Sequence, residues 1–375
     1  MEFRDLKQQY NVLKSELDAA VLGALASGRY ILGPEVEALE SELAAYVGVK
    51  HCVTCANGTD ALTLALKVWG VGPGDAVFVP DFTFFASAEV VSLEGATPIF
   101  VDVLEETFNL DPASLERAIE RVEGEGKLRA KGVVAVDLFG QPADFQRIRE
   151  ICKRHSLLLL EDGAQGFGGS IDGRRACGMG DIGTTSFFPA KPLGCYGDGG
   201  ALFTDSDEWA ELARSLRVHG KGTDKYDNVR IGINSRLDAV QAAVLRVKLR
   251  AFEKSELEAV NSVAGRYTSL LEGIVQTPKV PQGFGSSWAQ YTLKLKDRDR
   301  RDALQAALKA AGIPSMVYYP RPLHSLAAFA PVTPMQAECP VATALSERVL
   351  SLPMHPYMTE NEIAQVCEVI KSALA

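Results

Sequence analysis

Several things the chain lacks narrow what it can be. No stretch of its 375 residues approaches the ~18 unbroken apolar residues of a membrane span, and the opening MEFRDLKQQY has no apolar core of a signal peptide. The expected place is therefore the cytoplasm, with no membrane partner. Positive charge is in deficit, 39 Lys and Arg against 48 Asp and Glu, for a net charge of −9. That argues against nucleic acid or an anionic membrane as a partner, while a nucleotide-bearing small molecule stays open because it needs only local donors. Cysteine is sparse and scattered: seven residues, at 52, 55, 152, 177, 195, 339 and 367, form no disulfide framework. Cys52-Val-Thr-Cys55 has the spacing of a metal or redox pair. No second pair follows, and the neighbouring His51 does not complete a zinc set, so these read as buried strand cysteines and no metal is expected. Internal repeats and low-complexity segments are missing too. No glycine-rich run ends in Gly-Lys-Ser/Thr, which excludes a P-loop.

What is there is ordinary in bulk, with 47% hydrophobic and 23% charged residues, and long enough for two domains. From Phe3 to Ser27 the pattern is helical, and Pro34 suits the first position of a helix over Glu35 to Val47. Strand-like runs near 51–55, 76–80, 97–101, 133–137, 157–160, 183–188 and 200–204 alternate with helical runs near 60–69, 85–94, 112–122, 143–154 and 207–217. Such alternation predicts an α/β fold with a sheet buried on both faces, and the four leucines at 157–160 suit its middle. Glu123 to Lys131 reads as a surface loop. Beyond Arg236 the pattern is helical to about Glu258 and again to Leu271. The texture then changes to α+β. A half-exposed strand is expected over Ala289 to Lys296, a helix over 299–311, a strand over Ile313 to Tyr319, and helices near 341–350 and 359–373. The division is placed at 1–250 for a large domain with an N-terminal helical arm and 251–375 for a small one.

The most distinctive stretch is GTTSFFPAKPLGCYGDGGALFT, Gly183 to Thr204. Lys191 stands between Pro189 and Pro192, followed by Gly194, Gly197, Gly199 and Gly200, in a loop whose backbone path is fixed by proline and glycine. Phe187, Phe188 and Leu193 surround it with apolar side chains, which would desolvate an ammonium and depress its pKa. A lysine kept partly neutral suits Schiff-base chemistry, against the alternative of an ordinary solvated loop lysine.

Three further constellations stand at the ends of expected strands. Ala56-Asn-Gly-Thr-Asp-Ala-Leu62 opens a helix, where Gly58 and Thr59 suit a phosphate; a plain capped turn is the competing reading. Leu160-Glu-Asp162-Gly-Ala-Gln165 offers a carboxylate for a protonated ring nitrogen and an amide for a ring oxygen, where a helix-capping Asp is the alternative. Asp81-Phe-Thr-Phe84-Phe85 offers an aromatic that either stacks on a planar cofactor or packs in the core. Ser186 adds a hydroxyl. Lysine, strand-end acid, phosphate-binding helix start and aromatic platform together are what pyridoxal 5′-phosphate needs.

The segments YILGPEVEALE, ANGTDAL, VGPGDAVFVPDFTFFASA, GATPIFVDV, LFGQPADF, LLLLEDGAQGFG, TSFFPAKPLGCYGDGGALFT, NSRLDAVQAAVL and MVYYPRPLH, in order along nearly the whole chain, resemble the DegT/DnrJ/EryC1/StrS sugar aminotransferases, of the fold-type-I pyridoxal-phosphate class. The resemblance implies a central seven-stranded mixed, mostly parallel sheet, a smaller α+β C-terminal domain, and a homodimer with shared sites. It implies that Lys191 is the Schiff-base lysine and then the general base and acid. It also implies that Asp162 pairs with the pyridine nitrogen, Gln165 approaches the ring hydroxyl and Phe84 stacks on the ring. Gly58, Thr59 and Ser186 would bind the phosphate, with Asn234 reaching it from the other subunit. Some members carry histidine for the lysine and become dehydratases; this chain keeps lysine, which favours transamination.

The lysine loop is most similar to those of aminotransferases acting at C3 of UDP-linked 3-oxo sugars, especially 2-acetamido-3-oxo-glucuronate, with glutamate as donor, for surface polysaccharide. A uronate carboxylate needs a cation, and Arg236 and then Arg321 are the candidates, with a structural ion pair in the dimer as the alternative for either. Tyr318, Tyr319 and His324 stand where such enzymes line the sugar site; relatives carry His-Tyr where this chain has Tyr318-Tyr319. A 3-oxo-N-acetylglucosamine or a 4-oxo-6-deoxy sugar, a lysine enzyme without pyridoxal phosphate, and a non-catalytic regulator of the same fold are the competing readings.

Overall fold

A computed structural model describes residues 1–224, 226–332 and 338–375. Its strands in chain order are β1 (His51–Cys55), β2 (Asp75–Pro80), β3 (Thr97–Val101), β4 (Arg129–Val136), β5 (Leu158–Asp162), β6 (Ser170–Ile171), β7 (Arg174–Arg175), β8 (Ile182–Ser186), β9 (Gly200–Thr204), β10 (Phe284–Gly285), β11 (Tyr291–Lys294) and β12 (Val349–Leu352). Seven of them form one sheet in the order β1-β9-β8-β5-β4-β2-β3. Pairing is parallel from β3 through β2, β4 and β5 to β8, and antiparallel at β8–β9 and β9–β1. The sheet is the expected mixed, mostly parallel one. Its strands are apolar and buried along nearly their whole length because helices cover both faces.

That topology decides where chemistry can sit. Since only β9 runs against the others, the carboxyl ends of β1, β2, β4, β5 and β8 share one edge with the start of β9, as the pairs Cys55↔Gly200, Ser186↔Gly200 and Val136↔Asp162 record. The turns after those strands carry Gly58, Asp81 to Phe84, Asp162 to Gln165 and Ser186 to Lys191. In open α/β sheets this edge is where ligands bind.

The C-terminal part is built on β11 and β12, antiparallel, with the helices Leu257–Leu271, Arg298–Ala310 and Glu360–Leu374 around Tyr267, Tyr291, Leu293, Leu304, Leu350 and Val366. A continuous helical path joins it to the large part. The helix Ala239–Ala251 widens into one π turn, Phe252–Glu256, and continues as Leu257–Leu271.

Four expectations need correction. Helix Pro112–Glu125 runs to Glu125 and β4 begins at Arg129, so only the middle of 123–131 is loop. The charged residues there are good helix formers, and Gly126 at φ +64° ends the helix. The strand in 289–296 is fully buried, not half-exposed, because its polar side chains are paired: Thr292 Oγ1 meets Ser351 Oγ at 2.8 Å and Lys294 Nζ donates to the Glu105 carbonyl at 2.8 Å. The helix in 341–350 is Pro340–Arg348; Val349 to Leu352 is β12, an apolar run too short for periodicity to classify. Ile313 to Tyr319 is irregular, held by a single bridge of Met316 to Ser351, with a cis peptide between Tyr318 and Tyr319.

Candidate active site

At the end of β1 the chain turns into helix Gly58–Val68, capped by the Asn57 side chain, which accepts from the Asp60 amide at 2.8 Å. A Cβ on Gly58 would lie 2.6 Å from Cβ of Ser186, so the helix start and the end of β8 touch only because residue 58 is glycine. The Thr59 hydroxyl has no partner among the described residues. Free amides, this hydroxyl and Ser186 at a helix N-terminus form an anion cradle. Ser235 closes its floor, its Oγ accepting from the Ala56 amide at 2.9 Å.

Asp162 ends β5, almost fully buried. Its Oδ2 accepts from Ser87 Oγ at 2.7 Å and its Oδ1 from the Ala164 amide at 3.2 Å. Burial pushes its carboxyl up from the ordinary value, opposed by Ser87, Ala164 and the Lys191 charge. A cationic ring nitrogen at this carboxylate would stabilise its ionised form. Ser87 escaped the sequence reading; a serine at the second position of an apolar helix carries no signal of its partner.

Lys191 is half-buried in the loop after β8. Its own amide donates to the Phe188 carbonyl at 2.8 Å and the Cys195 amide to that of Phe187 at 2.8 Å, which closes the loop's neck. Burial lowers its ammonium pKa, Asp162 raises it, and Arg4 lowers it further. Phe187 and Leu193 are buried as expected, whereas Phe188 is exposed. Gln165 lies in the turn after Asp162, its Oε1 accepting from the Phe139 amide at 2.8 Å and its Nε2 donating to Tyr319 Oη at 2.9 Å. Tyr319 also meets Phe84, ring centroids 6.4 Å apart, and Phe84 is 54% exposed, a large aromatic face with room for a planar ring.

His324 is turned to structure on one side. Its amide donates to Asp81 Oδ1 at 2.8 Å and its Nδ1 meets Asp81 Oδ2 at 2.5 Å, pinning the loop of Tyr318 and Tyr319 to the end of β2. Nε2 is left free. Among the described residues, Asp81, His324 and Cys339 also place three possible metal ligand atoms within 4.8 Å of one another, but both Asp81 oxygens already hold His324. Cys52 and Cys55 are buried in β1, their thiols pushed up by burial, and neither belongs to such a group. Arg236, Arg321 and the Asn234 side chain make no hydrogen bond or ion pair with any described residue. Asn234 and Arg236 flank Ser235 in the chain, with no hydrogen bond from either side chain to the cradle of their own subunit, and Arg321 is exposed on the loop pinned by His324.

Phosphate cradle, buried acid, desolvated lysine and open aromatic face converge at the carboxyl edge of this sheet, and these residues fit pyridoxal 5′-phosphate. They define a pyridoxal-phosphate transferase of fold type I. The sequence profile described as the DegT/DnrJ/EryC1/StrS aminotransferase family matches residues 11–371, and the chain belongs to that family. It is similar to the UDP-2-acetamido-2-deoxy-3-oxo-D-glucuronate aminotransferase of Pseudomonas aeruginosa, 45% identical over 99% of this chain and 99% of the relative. Among solved structures it matches a DegT DnrJ EryC1 StrS aminotransferase from Brucella abortus with TM-score 0.97 and 48% identity, covering 100% of both chains. It also matches ntda from Bacillus subtilis with bound cofactor PMP, TM-score 0.87 and 28% identity, over 97% of this chain and 82% of that one. The protein is a pyridoxal-phosphate-dependent aminotransferase.

Proposed function

We propose that the protein transfers an amino group from glutamate to C3 of a UDP-linked 3-oxo sugar, in particular 2-acetamido-2-deoxy-3-oxo-glucuronate, in the making of a surface polysaccharide. One observation carries the reading of the substrate: the near-full-length identity of 45% to the Pseudomonas aeruginosa enzyme named for that sugar. Two guanidinium groups without acid partners among the described residues, Arg236 and Arg321, support it, because a uronate carboxylate needs such a counter-charge.

In this reading Gly58, Thr59 and Ser186, with Asn234 of the second subunit, hold the cofactor phosphate. Asp162 keeps the ring nitrogen protonated, Gln165 faces the ring oxygen and Phe84 covers one face. The bound cofactor supplies the electron sink that makes a hydrogen on the amine-bearing carbon acidic. Lys191 anchors it and, once released, moves a proton at its Nζ, a task its lowered pKa suits because the neutral amine is the base. Tyr318, Tyr319 and the free Nε2 of His324 line the sugar. The chain acts as a homodimer with shared sites, in the cytoplasm, where its seven unpaired cysteines stay reduced. We place the domain boundary between residues 250 and 251, just ahead of the π turn.

The test offers glutamate with a panel of UDP- and dTDP-linked 3- and 4-oxo sugars and follows 2-oxoglutarate release. Turnover with the 3-oxo uronate is expected, with Arg236→Gln or Arg321→Gln raising KM for the uronate but not for its neutral counterpart. Turnover of 4-oxo sugars alone overturns the positional assignment.

A further inference from the structure

The lysine loop is held from outside by residues far away in sequence. Arg4 Nη2 donates to the Lys191 carbonyl at 2.9 Å and to the Pro192 carbonyl at 3.2 Å, and Lys248 Nζ donates to the Gly194 carbonyl at 2.7 Å. Both cations are desolvated, which lowers the Arg4 pKa to about 10 and that of Lys248 to about 8. Lys248 also sits 4.1 Å above the Tyr196 ring. The compensating charge is Glu256, buried, which accepts from Gln9 Nε2 at 3.0 Å and from Tyr357 Oη. Glu256 lies in the π turn between the two parts of the chain. The segment around Arg4 reaches the small part as well: the Phe3 carbonyl accepts from the Met354 amide at 3.1 Å, and the Phe3 ring meets Tyr318 edge-on at 6.3 Å.

A buried guanidinium is costly to desolvate, and an apolar side chain would seal the same space. What it adds is direction. Pro192 has no N–H with which to close the turn through the backbone, so the path of residues 191–194 depends on who takes their carbonyls. All three acceptors are bound by the two cations.

We propose that Arg4, supported by Lys248 and Glu256, is a positioning residue that holds the carbonyls of the lysine loop and so fixes the direction from which the Lys191 side chain enters the site. This rests on the reading of Lys191 as the lysine that bonds the cofactor. Because Glu256 marks the junction of the two parts and Phe3 touches Tyr318, the same contacts tie the lysine to the element that would carry the sugar.

The test uses the full chain stripped of cofactor and mixed with pyridoxal 5′-phosphate. Formation of the covalent bond is followed by visible absorbance and by mass after borohydride reduction. Arg4→Met slows bond formation about tenfold and lowers kcat with KM for the sugar less affected, as expected for a misdirected side chain. Arg4→Lys, which can still donate to a carbonyl, stays within about threefold of the parent. Should Arg4→Met melt more than about ten degrees below the parent, Lys248→Met carries the same expectation through the Gly194 carbonyl. Parent-like rates in whichever of the two methionine variants remains folded overturn the proposal. Lys191→Ala separates the two ideas: a covalent adduct persisting in that variant sinks the assignment of the lysine itself, whereas its loss together with an unchanged Arg4→Met sinks only the positioning role.

Discussion

Lys191 and Asp162 stand in opposed environments, and that opposition gives the site its pH behaviour. Burial lowers the lysine from its ordinary 10.5, Asp162 pulls it back up, and Arg4 pushes it down. The neutral amine is the form that attacks an aldehyde, so the rate of cofactor uptake by the stripped protein rises with pH with its midpoint below 10.5. Asp162→Asn removes the one group that raises this pKa and should move the plateau to lower pH; an inflection at or above that of a free lysine would contradict the placement. In the proposed reading the same substitution would remove the partner of the ring nitrogen, and kcat should then fall by roughly a hundred- to a thousandfold, the range for losing one preorganised electrostatic contact. Gly58→Ala tests the cradle separately. Its Cβ would press on Ser186 and part the helix start from β8, so cofactor should be retained at least tenfold more weakly, ~1.4 kcal/mol, by equilibrium dialysis with turnover at saturating cofactor less affected.

At the level of elements, the sheet was largely legible because short apolar strands alternating with helices leave little choice of class, and the glycine and proline punctuation bounded the turns that carry chemistry. What was hidden is tertiary by nature. Asp81 reads as one acid in an aromatic turn, yet it holds the loop from Tyr318 to His324; nothing within ten residues of either partner announces the other. The same holds for Ser87 under Asp162 and for Arg4 under Lys191. β12 was missed because four residues, three of them apolar, directly after a helix look like its last turn. The Asp81–His324 contact raises the His324 pKa, with the Asp81 hydrogen bond as first cause. A histidine raised on folding stabilises fully below its unfolded value of 6.5, and that contribution fades as pH climbs through the raised folded value. Asp81→Asn should therefore destabilise by about 2 kcal/mol at pH 6 and by less at pH 9. Denaturant titrations at the two pH values check this, and a loss independent of pH would show that the imidazole is uncharged in the folded protein.

Whole-molecule behaviour turns on what one chain leaves uncovered. Leu22, Leu25, Tyr30 and Ile31, at the end of the first helix and just after it, are exposed. So are Val229 and Ile231, the latter 92% accessible, on the loop that leads to Asn234. Large apolar side chains left this open suit the proposed homodimer, in which a second copy related by a two-fold axis would cover the same set on both chains. If that copy also brings Asn234 to the phosphate cradle, assembly and cofactor binding cannot be separated. Ile231→Asp should then yield a monomer by sedimentation and lose cofactor on gel filtration at micromolar protein, while keeping the helical content of the parent. A dimer that survives the substitution with its colour intact would move the interface elsewhere. A monomer that keeps the cofactor as tightly as the parent would instead confine the site to one chain, leaving Ser186, Thr59 and the helix N-terminus to hold the phosphate alone.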